Sequence, residues 1–208
     1  MTMRRLAALL ALAPLAACTP NERPTAGPVA RAASWQTVAT EEDRRRLREW
    51  RTAFVNGLAQ ARAAGNGVAI TREGSLLMPD AAIGGTIPNG DYRCRVTKLG
   101  ARSPGLLPFV SYPAFNCRIA QSGRLQAFTK LSGSQRQVGY IFPHDQLRQV
   151  FLGTLVLGDE QRAITYGVDS DRDLAGFVER IGPRTYRLIL PSPRYESLID
   201  VVELVPSS

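Results

Sequence analysis

The chain has 208 residues, 44% of them hydrophobic and 21% charged, with a formal net charge of +8. That suffices for one globular domain with its own core and is too little for two. Arginine supplies 24 of the 26 basic residues, Lys98 and Lys130 being the only lysines. They are scattered from Arg4 to Arg194 instead of forming the basic stripe of a nucleic-acid binder, so no nucleic acid is expected as partner. The one dense run, Arg44-Arg45-Arg46-Leu47-Arg48, is flanked by Glu41, Glu42, Asp43 and Glu49 and reads as a solvated surface.

Residues 1–17 read as a lipoprotein signal peptide. Arg4 and Arg5 form a short positive region, Leu6 to Leu15 an apolar stretch too short to span a bilayer, and Leu15-Ala16-Ala17-Cys18 a lipobox. Cys18 is therefore the expected lipidation site, and acyl chains on it would attach the protein to a membrane. Thr19 stands where an inner-membrane retention signal would have Asp, which favours the outer membrane, facing the periplasm. Residues 18–34 read as lipidated cysteine plus a flexible tether rich in Pro, Gly and Ala. A single domain is expected over 35–206.

That domain starts with a helix over about 41–64. Thr40 can cap it, the acids after Thr40 suit the positive end of its dipole, and Leu47, Trp50, Phe54, Leu58 and Ala61 form one apolar stripe. Gly65-Asn66-Gly67 stops it. From Gly90 to about 205 the sequence changes to short runs separated by turn residues. Strands are predicted at 91–99, 115–120, 124–132, 136–142, 149–157, 161–166, 174–181, 185–190 and 198–205. The fold class is mainly β with an N-terminal helix: a small antiparallel meander barrel, calycin-like, or a sandwich. Gly139, Gly153 and Gly176, inside strands, suit bulges or tight barrel curvature.

With Cys18 lipidated, Cys94 and Cys117 remain, an even number in an oxidising compartment. Cys94 alternates in phase with Tyr92 and Val96, and Cys117 with Phe115 and Ile119, so both thiols face one apolar interior and a disulfide is predicted.

Chemistry is sparse. His144 is the only histidine, in the loop-like Phe142-Pro143-His144-Asp145, and reads as a surface residue; no GxSxG elbow or phosphate loop occurs. Asp169, Asp171 and Asp173 resemble the start of a calcium loop, but Leu174 stands in place of its Gly and Arg180 in place of its Glu. They form a candidate weak metal site, or a turn. Asp159 and Glu160 read as a hairpin turn between residues 151–157 and 162–166. Arg93, Arg95 and Arg118, on the face opposite the cysteines, form a candidate anion-binding set.

Five segments in order carry a family resemblance. They are Gly90 to Arg95 with Lys98-Leu99-Gly100, Tyr112 to Arg118, Phe128 to Arg136, Phe151 to Glu160, and Asp173 to Gly176 with Glu179 to Gly182. Together they resemble the domain of unknown function 4893 family, found in lipoproteins of alphaproteobacteria, over about Trp35 to Pro206. The resemblance implies an envelope location and no catalytic residues. Gly90-Asp91-Tyr92 is also similar to the Gly-x-Trp of lipocalin-like barrels. The expected function is a cell-envelope lipoprotein acting as a non-catalytic binding or structural module, without cofactor, whose partners are the membrane and an envelope protein or anionic polymer. The alternatives are a barrel-type carrier of a lipid or small apolar ligand, and a small hydrolase using an acidic cluster.

Overall fold

The apolar alternation from Gly90 onward becomes nine strands in the computed structural model, which describes residues 34–207. The predicted signal peptide, Cys18 and residues 19–33 lie outside the described residues. The strands are β1 (Gly90–Ala101), β2 (Phe109–Ser111), β3 (Phe115–Ser122), β4 (Leu125–Lys130), β5 (Gln135–Pro143), β6 (Arg148–Leu157), β7 (Asp173–Arg180), β8 (Tyr186–Pro191) and β9 (Ser197–Pro206). Sequence neighbours pair antiparallel from β3 to β9, and β1 pairs with both β3 and β9. Eight strands thus close into a meander barrel, with β2 as a short addition on the same edge of β1 as β3. Closure leaves the eight no free edge. Of the two architectures expected, the barrel is the one formed.

The helical layer precedes the barrel. It comprises α1 (Trp35–Val38), α2 (Glu41–Arg48), α3 (Trp50–Ala63), α4 (Gly67–Arg72) and a 3₁₀ turn at Gly74–Leu77. The single helix expected over 41–64 is interrupted at Glu49, where ψ swings to 5°. The interruption lets α2 pack on β7 while α3 packs on β1, β8 and β9. Thr40 caps α2 as predicted, its hydroxyl accepting from the Asp43 N–H. Gly65, at φ +85°, ends α3, and α4 begins two residues later.

Two apolar cores result. One fills the lumen with the inward positions of the strands, including Tyr92, Val96, Ile119, Phe128, Phe151, Val178, Leu188 and Val202. The other lies between helices and barrel wall, where Trp50, Phe54, Leu58 and Ile70 meet Leu99, Phe142, Val150, Phe177, Ile189 and Val201. β6 to β8 face both cores, which is why their sequences run apolar without strict alternation. Gly139 and Gly153 face each other across β5 and β6, and the ring of Phe151 covers them. A Cβ at either would strike that ring and the neighbouring strand, so the curvature predicted at these glycines rests on close backbone approach.

The strand expected over 161–166 is absent. Residues 158–172 form a long excursion between β6 and β7, and β6 pairs directly with β7 from Thr154↔Asp173 onward. Ala163, Ile164 and Tyr166 lie half-buried against the outer wall near Tyr140 and Leu152 without joining the ladder. Asp159 and Glu160 are therefore not in a hairpin turn.

The disulfide predicted between Cys94 and Cys117 is present, with Cα atoms 6.1 Å apart and both residues buried in the lumen core. It ties β1 to β3 diagonally, since Cys94 pairs with Phe115 and Tyr92 with Cys117.

Arg187 is the largest fully buried side chain. It points outward from β8 beneath the helices, 2.6 Å from Glu179 on β7, and donates to the carbonyls of Leu76 (2.8 Å) and Met78 (2.7 Å). Its guanidinium also lies 5.5 Å from the centre of the Phe54 ring, and Arg148 takes the other oxygen of Glu179. Arg187→Met is expected to cost about 3–5 kcal/mol, because Glu179 and the carbonyls stay buried with too few donors. Urea unfolding measures it. Removing the disulfide as Cys94→Ala/Cys117→Ala should cost about 3 kcal/mol for its separation of 23 residues.

Candidate functional site

The barrel has unlike ends. Residues 83–89 cross one of them. The Ile87 N–H donates to Gln149 Oε1 (3.0 Å), Gln126 Nε2 donates to the Ile87 carbonyl (2.8 Å), and the Tyr92 hydroxyl donates to Pro88 (2.6 Å). Ile87 itself joins the lumen core, so this end is sealed. Above it the lumen is filled by edge-to-face aromatic pairs, Tyr92 with Tyr186 and Phe128 with Phe151.

The other end opens into a cavity of about 380 Å³, walled by Val96, Lys98, Tyr112, Phe115, Lys130, Gln137 and Glu196, with Ser132 and Ser134 at its rim. The alternation that buries Tyr92, Cys94 and Val96 brings Lys98 inward. Lys130 follows Phe128 by two positions and pairs with the buried Cys117. Thr129 pairs with Val138, so Lys130 and Gln137 stand side by side one step further on. Both lysines of the chain therefore face this mouth.

Their electrostatics differ. Lys98 Nζ lies 3.0 Å from Asp200 and 3.2 Å from Glu196. Burial works against its charge, but the two carboxylates outweigh it and hold its pKa above the usual lysine value. Lys130 has no carboxylate within ion-pair distance among the described residues; its Nζ sits 4.3 Å from the centre of the Phe115 ring. Burial first, then the Lys98 charge, pull its pKa below the usual value, with Asp200 opposing. Gln137 is 4% exposed, and its Oε1 finds no hydrogen-bond partner among the described residues. A buried acceptor left so costs about 1–3 kcal/mol. Glu196 is held at φ +67°, in the left-handed region that a non-glycine residue enters at a cost. The mouth thus assembles an unpaired ammonium, an unmet amide oxygen and a carboxylate beside apolar walls. These groups can bind and orient a polar ligand.

None of these four residues belongs to the sets predicted from sequence. Arg93, Arg95 and Arg118 do share the outer face, but Arg95 is gripped by Glu73 and Glu203 (2.9 Å), and Arg118 by Asp91. Arg93 alone of the three has no carboxylate partner among the described residues. The aspartates diverge. Asp169 accepts from the Asp171 N–H and pairs with Arg172, Asp171 pairs with Arg194 (2.9 Å), and Asp173 is buried, accepting from the Gly167 N–H (2.9 Å). Among the described residues no group of three or more His, Cys, Asp or Glu side chains could hold a metal. Glu160 accepts from the Leu157 N–H and from Arg172, whereas Asp159 is exposed. His144 lies at the surface as expected, but it is held there by aromatic neighbours. It stacks on Phe177 (6.0 Å) and accepts a hydrogen bond from Trp35 Nε1 (3.3 Å).

Asp173 belongs to a buried polar latch under α2. Arg46 bonds Asp43 (3.0 Å) and the Asp173 carbonyl (2.9 Å), and the Tyr166 hydroxyl donates to Asp43. Burial pushes the Asp173 carboxyl up to about 6, the Asp43 charge adding to it against the Gly167 N–H and Arg46. Between its ordinary value and about pH 6 the folded protein holds a proton that the unfolded chain has released, so this group makes stability fall as pH rises through that window. Asp173→Asn should abolish that component. The wild-type minus variant difference in urea midpoint should decline from pH 4 to 6; a constant difference would contradict the assignment.

No curated protein and no solved structure matches the chain. The model of the family described as Domain of unknown function (DUF4893) matches residues 35–204, the helical layer together with the barrel up to the last two residues of β9. The match extends over most of the chain, and the protein accordingly belongs to the DUF4893 family.

Proposed function

We propose that this protein is a lipid-anchored component of the cell envelope, outer-membrane and periplasm-facing, whose barrel is a non-catalytic binding module with its site at the open mouth. The three-part leader ending at Cys18 supports the anchor, and the Cys94–Cys117 disulfide fits an oxidising compartment. The observation that carries the binding reading is the polar mouth above a filled lumen. It gathers both lysines of the chain, one neutralised and the other unpaired, around a cavity of about 380 Å³. Pockets of this size suit small ligands.

The filled lumen and sealed base speak against carriage of a long acyl chain inside the barrel. The divergence of Asp169, Asp171 and Asp173, together with the packing of His144 between Trp35 and Phe177, speaks against acid–base hydrolysis. Binding through Arg93 to an anionic envelope polymer is a separate contact that the mouth reading does not require.

Two measurements test the proposal. Mass spectrometry of the native protein should find a mature chain starting at acylated Cys18; an intact Met1 or an unmodified Cys18 would overturn the anchor. Full-length protein labelled with ¹³C at lysine Cε gives side-chain signals from the mouth alone. Titration with small amino acids, carboxylates, amines and sugars, each in turn, should move the Lys130 signal saturably for at least one class. Indifference of both lysine signals to all of them would sink the mouth as the binding site.

A further inference from the structure

The groups left unmet at the mouth define a ligand by complementarity. Lys130 presents a positive charge with no carboxylate within ion-pair distance among the described residues, held against the face of Phe115. Gln137 is more than nine-tenths buried and lines the same cavity, and its Oε1, itself buried, meets no donor among the described residues. Glu196 gives Oε2 to Lys98, and its Oε1 bonds none of the described residues, while its side chain stays part-exposed at the cavity wall. Lys98 is offset by Asp200 and Glu196, while Lys130 feels the charges of Lys98 and Arg136 against that of Asp200; a bare anion would leave the Gln137 and Glu196 oxygens unmet, and a bare cation would leave Lys130 unmet. A molecule bearing both charges would not. Val96, Tyr112, Pro113 and Phe115 supply an apolar wall beside these groups, and the space exceeds what a charged backbone alone would fill.

We infer that the mouth takes a small zwitterion, a free α-amino acid with an apolar side chain, its carboxylate on Lys130 Nζ, its ammonium on Gln137 Oε1 and Glu196, and its side chain against Tyr112 and Phe115. This rests on the mouth being the binding site and names what binds there. The depressed pKa of Lys130 agrees with the geometry, since an arriving carboxylate would restore the charge that burial and Lys98 disfavour. Charge-assisted bonds from an ammonium to two oxygens would meet the acceptor that the folded chain leaves open.

The experiment titrates full-length, lysine-labelled protein with phenylalanine, with its two half-molecules, 3-phenylpropionate, which lacks the ammonium, and phenethylamine, which lacks the carboxylate, and with inorganic phosphate. Phenylalanine should bind at least tenfold more tightly than either half. Lys130→Met and Glu196→Gln should each weaken it at least tenfold while thermal unfolding confirms that both variants are folded; in Lys130→Met the Lys98 signal serves as reporter. If 3-phenylpropionate or inorganic phosphate binds as tightly as phenylalanine, the zwitterion is overturned and the mouth stands as a simple anion site. If phenylalanine leaves both lysine signals unmoved while another probe shifts them, the ligand class is again wrong but the site is right. Silence toward every probe overturns both.

Discussion

A fully buried guanidinium organises the molecule. Arg187 carries a charge out of water and recovers its cost through Glu179 on the adjacent strand and through carbonyl oxygens just before and after the end of the 3₁₀ turn. A planar fork with five donors can serve a carboxylate and several carbonyls at once, which a lysine could not. Those carbonyls belong to the stretch leading into residues 83–89, which seal the base. Glu179 also fixes Arg148, whose guanidinium lies 4.8 Å from the centre of the Trp50 ring. One buried ion pair thereby ties three strands to the helical layer and to the segment that closes the lumen.

The mouth shows the reverse policy. At the base every polar group just named has a partner, whereas at the mouth the pairing stops short. Lys98 is saturated by two carboxylates and acts as a fixed strut between β1 and β9. Lys130, one cavity wall away, has an aromatic face instead of an anion. The chain thus separates a rigid, satisfied scaffold from a small region with unmet hydrogen-bonding and charge capacity, the division expected between framework and binding surface.

Much of the framework was legible in sequence because it obeys short-range rules. Period-two alternation marked the strands, and the phase of Cys94 with Tyr92 and Val96 marked the disulfide. Thr40 with its following acids marked the start of α2. The misses have physical causes. Residues 161–166 read as a strand because Ala163, Ile164 and Tyr166 are apolar, yet these lie half-buried across the barrel wall without pairing. The break at Glu49 comes from wrapping round a curved surface, which no local signal encodes. β2 is three residues long and owes its ladder to β1. The mouth was harder to see, since its residues come from β1, the link into β3, β4, β5 and the turn before β9. A signal existed nonetheless: Lys98 and Lys130 are polar residues in the inward phase of otherwise apolar strands, and they are lysines where the chain elsewhere uses arginine. The arginines drew notice through a shared face and the aspartates through their spacing, but most of these charges are already spent: Arg95 on Glu73 and Glu203, Arg118 on Asp91, Asp169 on Arg172 and Asp171 on Arg194.

The contact of Trp35 with His144 has a directional consequence. His144 lies in the turn after β5, beside the sealed base, while β5 begins at the mouth with Gln135 and Gln137. The described chain therefore enters the barrel at its blind end. If acyl chains on Cys18 hold the protein to a bilayer, the attachment joins the domain at the end away from the mouth, and the packed lumen separates the two.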